Sequence, residues 1–92
     1  MKYLIEKKKE FKQALKRCRK RGKNIDLLDN VIYELACGNK LDEKYNDHNL
    51  HGKYREYREC HIEPDWLLIY KIEKGKLILT LTNTGTHSDI FS

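Results

Sequence analysis

The chain is poor in residues that break or staple a fold. It holds one proline and five glycines, too few for a proline-rich linker or a low-complexity segment. Its three cysteines, Cys18, Cys37 and Cys60, are an odd number with no C-x-x-C pair. That argues against a disulfide framework and reads them as small apolar residues in a reducing compartment. No apolar run approaches the roughly 20 residues of a membrane span. The opening MKYLIEKKKE has too short an apolar stretch for a signal peptide. The expected location is the cytoplasm, with no membrane partner.

Charge is what the chain has in excess. Charged residues make up 36% of its 92 residues, and the formal net charge is +5. The distribution matters more than the total. Lys7 to Lys23 hold ten Lys or Arg against one acid, a local +9, whereas the residues from Asn24 onward carry eight basic and twelve acidic groups, a local −4. Most charge runs are solvated helix faces. Ten like charges in seventeen residues exceed what solubility requires, so this segment points to a polyanion, either nucleic acid or an acidic protein.

The hydrophobic pattern reads as one domain, residues 1–92. Tyr3 to Lys7 alternate as a short strand. Phe11, Ala14, Leu15 and Cys18 recur at helical spacing, and Gly22 stops that helix. Asn24 or Asp26 caps a second helix with a stripe of Leu28, Val31, Ile32, Leu35 and Ala36, ended by Gly38. The two form a helical hairpin. Leu41 to Gly52 have no period and read as a long loop. The period then changes to two. KYREYRECHI reads as a mixed-face strand, DWLLIYKIE as a central strand covered on both sides, EKG as a hairpin turn and KLILTLTNT as a strand burying Leu77, Leu79 and Leu81. The predicted class is α+β: an N-terminal strand and helical hairpin packed on a small, mostly antiparallel four-stranded sheet.

All four histidines follow position 47. His48 and His51 fall in the loop, His61 near a strand end beside Glu59 and Asp65, and His87 beyond the last strand. Strand ends and one loop can gather these groups at one edge of the sheet. Imidazoles with carboxylates point to proton transfer near neutral pH. HNLH has chelating spacing, with Cys60 or His61 as further ligands, but it fits no zinc pattern well, so no metal or cofactor is expected. His51 reads as a surface residue.

DHNLHGKYREYRECHIEPDWLLIYKI followed by TGTHSDIF closely resembles the YafQ branch of the RelE-type bacterial toxins. The resemblance is detailed from Asp47 to Phe91, and in the first 40 residues it follows only the element order. It implies a RelE-like fold and a ribosome-dependent mRNA endonuclease of a type II toxin–antitoxin system. It places catalytic positions on His48, His61, Asp65 and His87, with Trp66 and Phe91 beside them and Glu59 where relatives carry an acid. His87 is implied as general acid and His48 or Asp65 as base, with His61 in support. An aromatic in an apolar strand is more often core than ligand contact, and Trp66 carries that second reading too. The family places an Arg two residues before the Gly of the terminal motif. Here Asn83 stands there, a substrate-binding position that can donate one hydrogen bond to the scissile phosphate but brings no charge; either Lys53, Arg55 or Arg58 compensates or the enzyme is slower. The implied partners are an acidic DinJ/RelB-like antitoxin, the 70S ribosome and mRNA. The toxin alone would be a monomer, and with antitoxin a heterotetramer or larger. The competing readings are a ParE-type gyrase binder, against which the histidine set argues, and a degenerate member that binds antitoxin and RNA without cutting.

Overall fold

A computed structural model describes residues 1–91. Strand β1 (Leu4–Lys7) leads into helix α1 (Lys9–Lys20) and helix α2 (Ile25–Ala36). Four more strands follow, β2 (His48–Asn49), β3 (Arg58–Glu63), β4 (Trp66–Glu73) and β5 (Ile78–Gly85), and a terminal helix α3 (His87–Phe91) closes the described chain. The sheet order is β1-β5-β4-β3-β2. β1 runs parallel to β5, and every other pair is antiparallel.

The helical hairpin forms where the apolar stripes lie. Phe11, Ala14 and Cys18 of α1 are buried, as are Leu28, Val31, Ile32, Leu35 and Ala36 of α2. α1 ends at Gly22, whose φ is +79°. The Gly22 N–H donates to the Arg19 carbonyl and the Lys23 N–H to the Cys18 carbonyl, both at 3.1 Å, which satisfies two carbonyls the helix leaves open. The side chain of Asn24 caps α2 by accepting from the Asp26 N–H at 3.1 Å. Both stripes join one core with Cys60, Ile62, Trp66, Leu68, Tyr70, Leu79 and Leu81. Side chains alternate along a strand, so Leu67 and Ile69 face away from the helices, yet both are buried. β4 is therefore covered on both sides, as its apolar run predicts.

The structure departs from expectation at three places. The sheet has five strands rather than four, because His48 and Asn49, in the expected loop, pair with Glu59 and Arg58. β3 begins at Arg58 and not at Lys53, since Gly52–Tyr54 form a 3-10 turn. Leu77 is 48% exposed with φ +56°. It closes the β4–β5 turn, its N–H donating to the Lys74 carbonyl and its carbonyl accepting from the Leu4 N–H, so it leaves the buried face of Leu79 and Leu81. Beyond β5, where no element was expected, the tail is helical. The three cysteines are free, Cys18 and Cys60 buried and Cys37 half-buried.

Candidate active site

Register places the chemistry. His48 lies opposite Glu59, Glu59 opposite Ile69, and Ile69 opposite Asn83. Directly opposed residues share a face, so these four form a row across β2, β3, β4 and β5 on the face turned from the helices. A second row runs His61–Leu67–Gly85. Strand parity alone would put Asn83 on the core face with Leu79 and Leu81. A register shift prevents this: Ile69 pairs with Asn83 while the next residue, Tyr70, pairs with Leu81. Thr82 is the extra residue, and such a bulge re-aims the side chains beyond it.

Glu59 is 8% exposed and stands between two imidazoles. His61 Nε2 lies 3.4 Å from Glu59 Oε1, and His48 Nε2 lies 3.9 Å from the same oxygen. The other ring nitrogens are held by backbone. His48 Nδ1 is 2.6 Å from the Asn46 carbonyl and His61 Nδ1 is 3.1 Å from that of Pro64. A carbonyl only accepts, so each Nδ1 donates and each Nε2 is left to face the carboxylate. A proton on either Nε2 makes that contact charge-assisted, and without one two lone pairs oppose each other. Both Nε2 atoms are thus turned to one carboxylate oxygen.

His87 opens α3 and is exposed. Its ring meets Phe91 edge-on at 4.8 Å, and Phe91 meets Tyr54 at 6.0 Å. Phe91 and Tyr54 line a cavity of about 180 Å³ together with Leu50, Tyr57, Ile69 and Asn83. α3 and the β2–β3 connection therefore wall the same face that carries Glu59 and the histidines. The tail is built to stay there. The Asp89 N–H donates to Thr86 Oγ1 at 3.1 Å, and the Thr86 N–H donates to Asp89 Oδ2 at 2.9 Å, a reciprocal cap.

The other expected site residues are not gathered in this way. Asp65 is exposed in the Pro64–Asp65 turn, next to the carbonyl that holds His61, and is not part of the Glu59 group. Trp66 is fully buried, its Nε1 donating to Thr84 Oγ1 at 2.9 Å. It is a core residue here, with no surface for a ligand. Arg58 lies on the helix side of β3. Its guanidinium donates to both Asp47 oxygens, at 3.3 and 3.2 Å, and to Asn49 Oδ1, so its charge is spent within the fold. Lys53 is exposed, with Nζ 5.2 Å from the Tyr54 ring centre, and Arg55 is exposed in the same connection. His51 is exposed at the start of the 3-10 turn.

Asp47 is a residue the sequence reading missed. Besides Arg58 it accepts from the Tyr70 hydroxyl at 2.5 Å, and so pins the residue before His48 to the central strand. Burial, then the hydrogen bond to Asp47, pushes the Tyr70 phenol well above its usual range. Asp89 is the second. Hydrogen bonds from Arg21, then from the Thr86 N–H, hold its carboxyl well below the usual range. The spacing Thr-x-x-Asp in THSD is a capping signal that could have found it.

A basic helical hairpin on a mixed sheet, with a histidine–carboxylate edge closed by a C-terminal histidine, defines a small toxin domain of the RelE type. The sequence model described as "Bacterial toxin of type II toxin-antitoxin system, YafQ" matches residues 3–92, and the chain belongs to that family. The match reaches well beyond the stretch that carries the resemblance in detail. The chain is 36% identical to the mRNA interferase toxin YafQ of Escherichia coli K12 over 89 residues, 95% of this chain and 94% of the relative. It superposes on the toxin in the E. coli DinJ–YafQ complex with a TM-score of 0.89 at 34% identity, covering 98% and 99% of the two chains. A metal-bound toxin from Helicobacter pylori superposes with a TM-score of 0.91 at 42% identity, covering 97% and 99%.

Proposed function

We propose that this toxin cuts mRNA in the ribosomal A site, using RNA's own 2′-OH as nucleophile. The observation that carries the reading is the pair of imidazoles sharing one carboxylate, His48 and His61 on Glu59, facing the same side of the sheet as the C-terminal His87. The His48–Glu59–His61 group takes the 2′-OH proton. The freed oxygen attacks the adjacent phosphorus, forming the 2′–O–P bond as the bond from phosphorus to the 5′-oxygen breaks. His87 donates its proton to that leaving oxygen. The products are a 2′,3′-cyclic phosphate and a 5′-hydroxyl. Acid–base help of this kind is worth about 10²–10⁴-fold. The relatives, named mRNA interferase toxins, support the reaction class.

The proposal extends to the surfaces and partners. The basic face of α1 meets ribosomal RNA, and splayed mRNA bases meet Tyr54 and Phe91. An acidic DinJ-like antitoxin covers the histidine face, in a heterotetramer or larger assembly, and the toxin acts in the cytoplasm. No step requires a metal. The deciding experiment incubates toxin stripped of metal by dialysis against chelator with mRNA, naked and on programmed 70S ribosomes, at one constant Mg²⁺ concentration. Cleavage on ribosomes only, ending in a cyclic phosphate and a 5′-hydroxyl, supports the proposal. A 5′-phosphate with a 3′-hydroxyl, or cleavage by the stripped toxin only after a transition metal is restored, would exclude this mechanism.

A further inference from the structure

We infer that Asp89 is a positioning residue that fixes the His87 imidazole by tying the first turn of α3 to the end of α1. The inference rests on the reading of His87 as the acid. Five residues are too few for a helix to hold itself, so α3 depends on what binds it. Asp89 provides that twice over. Within α3 it completes the reciprocal cap with Thr86, closing the turn that contains His87. Across the fold it accepts from Arg21 Nη1 at 2.7 Å and Nη2 at 3.3 Å. Arg17 Nε, buried without a hydrogen-bond partner among the described residues, faces the same carboxylate at 3.9 Å. The fit leaves no slack: a Cβ at Gly85 would stand 2.8 Å from Asp89 Oδ2 and 3.3 Å from Arg17 Nη2.

The charge pattern agrees. Asp89 is the sole acid after Glu73, and it meets the basic end of α1. Its carboxyl, held well below the usual range by Arg21, is charged throughout the range in which histidines work. His87 and Phe91 are four apart and lie on one face of α3, so the turn that Asp89 closes also sets their edge-on contact. A fold-wide ion pair thus fixes where one imidazole stands.

The test uses Asp89→Ala in the full chain, read as single-turnover cleavage on saturating programmed ribosomes and as ribosome affinity. The expected result is a loss of about tenfold or more in the single-turnover rate, as small misplacements of reacting groups produce, with affinity unchanged. The same substitution added to His87→Ala should cost nothing further. Asp89→Asn keeps an acceptor for the Thr86 N–H while losing the charge, and serves if the Ala variant does not fold. A wild-type rate in the Asp89 variants, or an equal further loss on the His87→Ala background, overturns the inference while the assignment of His87 stands. Wild-type cleavage by His87→Ala alone removes the premise itself.

Discussion

His61 Nε2 lies 3.4 Å from Glu59 Oε1, and His48 reaches the same oxygen from the edge strand. One nearly buried carboxylate thus orients two imidazoles whose other nitrogens are spent on backbone carbonyls. Glu59→Gln keeps the shape and removes the charge. It should lower single-turnover cleavage by about 10²-fold or more while melting changes by a few degrees. Wild-type cleavage by a folded Glu59→Gln protein would take this carboxylate out of the mechanism.

Asp47 should matter for stability first. Asp47→Ala leaves the Tyr70 hydroxyl and the Arg58 guanidinium without their shared acceptor. Orphaned groups of this kind cost about 1–3 kcal/mol, or about 4–8 °C in Tm per kcal/mol for a domain of this size. The same contact sets an alkaline limit. The Tyr70 phenol is pushed up by burial and by Asp47, so the folded state holds that proton more tightly than the unfolded chain. Its contribution is complete below the ordinary phenol value of about 10 and is lost as pH rises above it. Urea unfolding against pH should show this decline in the wild type and a flatter curve in Tyr70→Phe. A curve of the same slope in both would refute the assignment.

What could be read in advance depends on how local each signal is. The stripes of α1 and α2 and the apolar run of β4 are written at their own positions, because burial of each face imposes a period. β2 is not. Two residues carry no period, and His48 is a strand residue only because Glu59 and Arg58 lie alongside. The bulge at Thr82 is equally non-local. It comes from pairing with Ile69 and Tyr70, and it reverses the face of Asn83. His48, His61 and His87 were legible as chemistry through family likeness and residue type. Glu59 was legible beside His61 and through the same likeness, but its reach to His48 comes from the pairing of β2 with β3. Asp89 was announced only by Thr-x-x-Asp, and its pairing with Arg21, 68 residues away, by nothing local. Trp66 and Arg58 show the converse. Their types suit RNA, but the fold consumes both, one in the core and one on Asp47.

The basic helix needs a cleaner test than neutralising its last two turns wholesale, because Arg17 and Arg21 also hold Asp89. Lys12, Lys16, Arg19 and Lys20 are exposed. Changing these four to Gln should weaken ribosome binding and reduce its log–log salt slope by about 0.7–0.9 for each phosphate no longer neutralised, with Tm and saturating cleavage rate retained. An unchanged slope would mean that α1 is only a solvated face.

Gly85 has φ +145° and no room for a side chain. Gly85→Ala should cost about 1–3 kcal/mol of backbone strain and displace Asp89 as well. Its cleavage rate should fall at saturating ribosome, beyond what the loss of folded protein explains. An Ala variant that melts early but cleaves normally at low temperature would show that the turn serves stability alone.

Asn83 offers the opposite test, a gain. Its amide is neutral, and its Oδ1 accepts from the Thr84 N–H at 2.9 Å, so it brings no charge to a phosphate. Had β5 kept its alternation, an Arg here would have entered the core beside Leu81 and lost its solvation. The bulge removes that obstacle. Asn83 faces the same side as Ile69 and Glu59, at the wall of the Tyr54–Phe91 cavity. Asn83→Arg therefore extends a guanidinium over the face where the phosphate would lie. One transition-state donor is worth about 3–4 kcal/mol in other enzymes, and with Lys53 and Arg55 nearby supplying part of the charge, a gain of roughly tenfold is expected. Tm should stay within a few degrees of wild type, since the site is half exposed. Cleavage rate and melting are to be measured on one preparation. A stable Asn83→Arg protein that cuts no faster would show that the phosphate is held by another group, with Lys53 and Arg55 the next to substitute.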